Sequence, residues 1–179
     1  MDFFFSINYA VSEYVNPATG KIAAGGNFAA FNNNWLPQEK DIAALADAVT
    51  TQQAGLCAWH LVDGRRREGN TGAIKAGVII IDIDNQADGK DKDGNKIQKQ
   101  ELDVAQALEL DICDKYLSLA YLSPSHTETW PRFRLVFGLE KPIIDAGFYQ
   151  WFTRHIAQQI PGSDRRATQA VNLFYGGKG

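Results

Sequence analysis

Residues 78–84 read Val-Ile-Ile-Ile-Asp-Ile-Asp, and no other segment constrains the chain as tightly. A solid apolar run of this length predicts a strand buried on both faces. Asp82 and Asp84 stand at i and i+2 at its end, so both carboxylates point to one face, while Ile83 points to the other and into the core. Adjacent carboxylates repel each other and resist desolvation. Such a pair is readily tolerated where a divalent cation neutralises it, and carboxylate oxygens are the ligands Mg²⁺ and Mn²⁺ prefer. The alternative is a strand that ends in a polar turn with both side chains in solvent.

The remaining chain alternates strands and helices irregularly, which predicts an α+β fold with a mixed or antiparallel sheet. Residues 1–5 read as an opening strand, and Asn16–Gly20 and Gly25–Asn27 are turns. Pro37 is placed to open a helix, with Ile42, Leu45, Ala46 and Val49 on one face and Gly55 ending it. Leu56–Val62 reads as a strand and is followed by a basic loop. A polar loop from Asn85 to Lys99 leads to a helix over Glu101–Tyr116, with Leu102, Ala105, Leu108 and Ile112 inward. Strands are expected over Leu117–Leu122 and Phe133–Leu139. A third helix spans Asp145–Ile160, with Asp145 as its N-cap and Trp151 and Phe152 on its buried face. Val171–Tyr175 is extended.

A second constellation is Ser123-Pro124-Ser125-His126, followed by Pro131-Arg132-Phe133-Arg134. Arg132 and Arg134 share one face of their strand, and two guanidinium forks make a phosphate clamp. The serine hydroxyls and His126 add donors. The plainer alternative is an edge strand with two solvated arginines and a structural histidine.

A strand ending in Asp-Ile-Asp, a strand leading to Ser-x-Ser-His, and Pro-Arg-x-Arg on the next strand together resemble the archaeo-eukaryotic primase superfamily. The similarity is closest to its primase-polymerase branch in plasmid and phage replication proteins. Within that branch it is to the N-terminal domain of cyanobacterial RepA-type plasmid replication proteins. It runs from about Arg65 to Tyr175. The resemblance implies an N-terminal α/β unit packed on an RNA-recognition-motif-like unit, with the active site in the cleft between them. It implies a template-directed DNA primase or polymerase acting by two-metal nucleotidyl transfer. Asp82, Asp84 and Asp164 would be both the catalytic residues and the ligands of Mg²⁺ or Mn²⁺, with Asp145 the fallback for the third acid. Ser123, Ser125, His126, Arg132 and Arg134 would bind the nucleotide. Arg65, Arg66, Arg67, Asn70 and Lys75 would contact DNA or the triphosphate, unless that basic loop is simply solvated. The expected partners are a single-stranded DNA template and an NTP or dNTP. Residues 1–179 would form the catalytic domain, the N-terminal part of a longer protein with a helicase or other replication domain beyond it. Zinc ligands found in many relatives are not recognisable here.

Other classes fit less well. The net charge of −3 weighs against nucleic-acid binding, although basic residues cluster at 65–67, at 132 and 134, and at 165–166. No apolar run approaches the roughly 20 residues of a membrane helix, and the short apolar start at residues 1–5, without a basic flank or a small-residue cleavage site, does not read as a signal peptide. Cys57 and Cys113 lack metal-ligand spacing and read as reduced, buried thiols of a cytoplasmic protein. Asp88–Asn95 departs from a calcium loop at its first and last ligands, leaving a hairpin or polar excursion. The histidines at 60, 126 and 155 form no His-x-His nicking site, and no Gly-x-Ser-x-Gly elbow or phosphate-binding glycine loop occurs. A metal-dependent nuclease using the same acids and a non-catalytic nucleic-acid-binding initiator module remain as alternatives.

Overall fold

The computed structural model describes residues 1–14, 31–66, 73–99, 101–168 and 171–177. The two glycine turns expected before residue 28, together with Arg67 and Asn70, lie outside these residues. The fold is α+β with antiparallel sheets and short helices.

Strand β1 (Phe3–Asn8) runs into a 3-10 helix (Tyr9–Tyr14), and β2 is Leu36–Lys40. Pro37 therefore lies in a strand and does not open a helix. β2 is an edge of the sheet β2-β1-β3, with Pro37 opposite Ser6, a position that tolerates a missing N–H. Helix α1 (Ile42–Ala46) starts five residues later than a Pro37 start implies. It is capped by Asp41, whose side chain accepts from the Ala44 N–H. A π-helical turn, Asp47–Thr51, continues it. The apolar spacing holds, since Leu45 and Val49 are fully buried. Gly55 opens a strand and does not end the helix. The expected strand over 56–62 is two short pieces, β3 (Gly55–Cys57) and β4 (Trp59–Leu61), which belong to different sheets.

Strand β5 (Ala73–Ile83) is the long central strand, and Val78, Ile79, Ile80, Ile81 and Ile83 are at most 2 % exposed. The polar stretch after it folds as a hairpin of β6 (Gln86–Lys90) and β7 (Lys96–Gln98). The single helix expected over 101–116 is two helices, α2 (Val104–Leu108) and α3 (Asp111–Tyr116), separated by an extended Leu110. The break changes the inward face. Leu102 and Ala107 are buried, whereas Ala105 and Leu108 face solvent. Strands β8 (Leu117–Leu122) and β9 (Phe133–Ile143) complete a four-stranded sheet in the order β4-β5-β9-β8.

Helix α4 (Ala146–Ala157) packs on β5 and β9. Asp145 caps it as expected, accepting from the Phe148 N–H at 2.5 Å. Its buried stripe is Tyr149, Thr153 and Ile156, so Trp151 (59 % exposed) lies on the solvent face and Phe152 is only half-buried. The periodicity of α4 marks two apolar stripes, and the sheet takes the one containing Tyr149.

Buried side chains from the three-stranded and four-stranded sheets form one core. The sheets meet where β1 crosses β5. A Cβ at Gly77 would lie 2.2 Å from Phe4 N, so only glycine allows that approach. Both cysteines are free and buried, as expected. No helix among the described residues is long and apolar enough to cross a membrane.

Candidate functional site

The antiparallel register of β5 and β9 sets Asp82 opposite Arg134 and Ile83 opposite Phe133. Continuing that register one step past the ladder sets Asp84 opposite Arg132. Two acids spaced i, i+2 thus meet two arginines spaced i, i+2. Arg134 Nε lies 3.0 Å from Asp82 Oδ1, and Arg132 Nε lies 3.0 Å from Asp84 Oδ1. Neither Nε makes an in-line hydrogen bond, although both atoms are buried. The contacts are close and electrostatic.

Burial pushes the Asp82 carboxyl above its usual range; Arg134 opposes this, and the neighbouring Asp84 and Asp164 reinforce it. Burial works against the charge of Arg134, but Asp82 and Tyr121 outweigh it and hold the guanidinium above its ordinary range. Arg134 is further fixed by a hydrogen bond from Nη1 to the Tyr175 carbonyl, and it lies near the rings of Tyr121 and Phe174. Arg132 is more open. Its guanidinium stacks 4.1 Å from the Trp130 ring centroid, and Nη1 donates to Ser125 Oγ at 3.2 Å.

The loop from Ser123 to His126 closes against this pair. Ser123 Oγ and Ser125 Oγ are 3.1 Å apart. His126 Nδ1 accepts from the Arg132 N–H at 3.2 Å, which places the proton of the neutral ring on Nε2. Asp164 joins through the backbone: its N–H donates to the Asp82 carbonyl at 2.8 Å, beside a β-bridge between Ile83 and Ser163. Its carboxylate Oδ1 accepts from the Arg166 N–H at 2.9 Å. Asp82 and Asp84 pair with arginine and lysine, and among the described residues no three His, Cys, Asp or Glu side chains converge closely enough to hold an ion. The donor set nevertheless suits a hard divalent cation, because Asp82 is a largely buried carboxylate destabilised by two others.

Several residues that organise the site carry no motif. Asn85 is fully buried at φ 47°, and its side chain donates to the carbonyls of Leu102 (2.6 Å) and Pro131 (2.8 Å). The same side chain accepts from the N–H groups of Glu101 (3.1 Å) and Leu102 (3.2 Å). Trp130 Nε1 donates to the Asp84 carbonyl at 2.9 Å. Lys96, reaching back from the hairpin, lies 3.2 Å from Asp84 Oδ2. An asparagine directly after Asp-x-Asp is the one available signal for Asn85, since asparagine tolerates the left-handed region. Nothing local marks Lys96.

Of the basic segment, Lys75 is not gathered here. Lys75 lies over the Phe4 ring, 3.2 Å from its centroid and about 23 Å along β5 from Asp82. Arg66 is held by the carbonyls of Phe31 and Val171 and by Asn32 Oδ1. Arg65 is exposed.

Beside Asp84 opens a groove of about 510 Å³, bordered by Lys96, Lys99, Glu101, Asp164, Arg165 and Arg166 among others. Comparison of the chain with protein-family models, with curated proteins and with solved structures finds no match.

Proposed function

We propose that the chain is a metal-dependent nucleotidyltransferase of the primase-polymerase kind, joining nucleotides on a single-stranded DNA template in plasmid or phage replication. The observation that carries this reading is the register-matched acid and arginine pair at the ends of β5 and β9, with the Ser125–His126 loop and Asp164 against it. Carboxylates of the kind that bind divalent ions and guanidinium groups of the kind that bind phosphate lie side by side, which supports a phosphoryl-transfer reading.

In this reading Asp82, Asp84 and Asp164 hold two Mg²⁺ or Mn²⁺ ions. A divalent ion held there would supply activation of the primer 3′-hydroxyl and neutralisation of charge on the leaving pyrophosphate. Ser123, Ser125, His126, Arg132 and Arg134 bind and orient the nucleotide. Arg132 is the more available guanidinium, because Arg134 is fixed in the interior.

The finer architecture belongs to the same proposal. β5, α2 with α3, β8, β9 and α4 follow a strand–helix–strand–strand–helix order. This supports an RNA-recognition-motif-like unit, with β4 in the remaining position beside β5. The sheet β2-β1-β3 and α1 would belong to the N-terminal unit. A helicase or other replication domain beyond residue 179 is part of the same reading.

The test is incubation with single-stranded DNA and Mn²⁺, with and without nucleotides. Extension that requires nucleotides supports the proposal. Shortening without nucleotides points to a nuclease built on the same acids. DNA binding indifferent to metal and nucleotide, without product, points to a non-catalytic initiator module.

A further inference from the structure

Helix α4 carries two apolar stripes, and the sheet covers the one containing Tyr149, Thr153 and Ile156. The outer stripe consists of Phe148, Trp151, Phe152 and His155, spaced i, i+3, i+4, i+7, as on a helix that turns an apolar face to a neighbour. Phe148 is 49 % exposed and Trp151 59 %. The four rings lean on one another. Phe148 stacks on Phe152, with centroids 5.7 Å and planes 14° apart, and Trp151 stacks on His155 at 5.7 Å and 9°. Contacts of Trp151 with Phe148 at 5.7 Å and with Phe152 at 6.4 Å join the two pairs. Rings already held in place lose little freedom on docking.

The outer stripe matches itself. Its midpoint lies between Trp151 and Phe152. A second helix docked antiparallel about that midpoint sets Phe148 against His155 and Trp151 against Phe152, each contact occurring twice, as a two-fold interface requires. Charge favours the same direction. Asp145 caps the N-terminal end of α4, and Arg154 and His155 lie in its last turn. None of the three makes an ion pair among the described residues. Antiparallel docking brings the acidic end of each helix to the basic end of the other and opposes the helix dipoles; parallel docking sets like ends together. A nucleic-acid strand fits less well, because the rings already cover each other's faces, where nucleobases would stack.

We infer that α4 pairs with α4 of a second copy of this chain, antiparallel across a two-fold axis. The exposed parts of Phe148 and Trp151 amount to about 250 Å² on the scale of whole aromatic side chains. A standard interface buries about 800 Å² per partner, so the dimer is reversible and the monomer prevails in dilute solution, where the outer stripe adds nothing to stability.

The test is analytical ultracentrifugation of the full chain from about 1 µM to about 1 mM, the range in which a weak dimer dissociates. The expected result is a monomer at the low end and a dimer at the high end. Trp151→Glu should weaken association by at least about thirtyfold, the loss of a hot-spot ring. Trp151 is exposed, so the variant should fold, which circular dichroism verifies. Tyr116→Gln, which alters an exposed ring on α3, should associate as the wild type does. Direction is read by mixing Phe148→Cys with His155→Cys under mild oxidation, the native Cys57 and Cys113 being buried. The mixed disulfide should form in preference to either like disulfide. A monomer at every concentration, an equal loss in Tyr116→Gln, or a preference for like disulfides would overturn the inference. Quenching of Trp151 fluorescence by oligothymidylate in a protein that stays monomeric would overturn it too, and would assign the stripe to nucleobases.

Discussion

Arg134 and Asp82 are direct cross-strand partners, with Nε 3.0 Å from Oδ1, and the arginine side chain is only 8 % exposed. The arginine is thus part of the core as well as of the candidate site. Substituting it disturbs both, and the consequences can be separated by experiment.

Arg134→Ala should destabilise the fold by about 3–5 kcal/mol, because it strands the Asp82 carboxylate without its partner. The double variant Asp82→Asn/Arg134→Met should recover much of that loss. Urea unfolding of the three proteins measures it. A single variant as stable as wild type would show that the pair does not support the fold.

Asn85→Ala should cost about 3 kcal/mol or more. It orphans two buried carbonyls and two N–H groups and puts a Cβ-bearing residue without a polar side chain at φ 47°. Gly162→Ala should act in the same direction, since its φ is +72° and the added Cβ would lie 2.3 Å from Asn85 Oδ1. Thermal denaturation checks both, and a near-neutral Asn85→Ala would remove this residue from its organising role.

The two stripes of α4 should respond oppositely. Trp151→Gln is expected to leave stability within about 0.5 kcal/mol, as for most surface substitutions. Tyr149→Ala, on the buried stripe, should cost about 3–5 kcal/mol. Equal losses would mean that both stripes are covered.

Burial pushes the Cys57 thiol up to about 12 from an ordinary 9, so in the native protein it stays protonated at pH 8. Neither Cys57 nor Cys113 should react with a thiol reagent at that pH until the chain is unfolded. The sign for stability follows from the raised value. The Cys57 contribution is fully present below pH 9 and is lost as the pH climbs towards 12, because the unfolded chain releases that proton first. Tyr149, also raised by burial, acts in the same direction. The urea midpoint should therefore fall across this alkaline window, and a flat midpoint would contradict the burial of these groups.

The parts of the fold that could be read from the sequence are those fixed by local chemistry. The apolar run into Asp82, the Asp145 cap and the strand over Leu117–Leu122 needed no tertiary information. Pro37 misled because its missing N–H suits an edge strand as well as a helix start, and only pairing with β1 decides between them. The break before Asp111 has no glycine or proline to mark it. Trp151 and Tyr149 lie on stripes of similar periodicity, and the choice between them depends on the sheet beneath. At the site, the i, i+2 spacing of Asp82 and Asp84 and of Arg132 and Arg134 was visible, but their facing register was not. Lys96 reaches Asp84 only because an intervening hairpin folds back, a contact set by tertiary structure alone.

The central claim is best tested at Asp84, which is tied to the surface lysine Lys96 and to Arg132, away from the interior pair that Arg134 makes. The measurement is nucleotide incorporation on single-stranded DNA in Mg²⁺ and Mn²⁺, comparing wild type with Asp84→Ala, with and without a primer, and with NTPs and dNTPs. The account predicts product from the wild type and a loss of at least about a hundredfold in the folded variant, as expected on removing electrostatic support for the transition state. Full incorporation by Asp84→Ala, or none by the wild type in any lane, would contradict it.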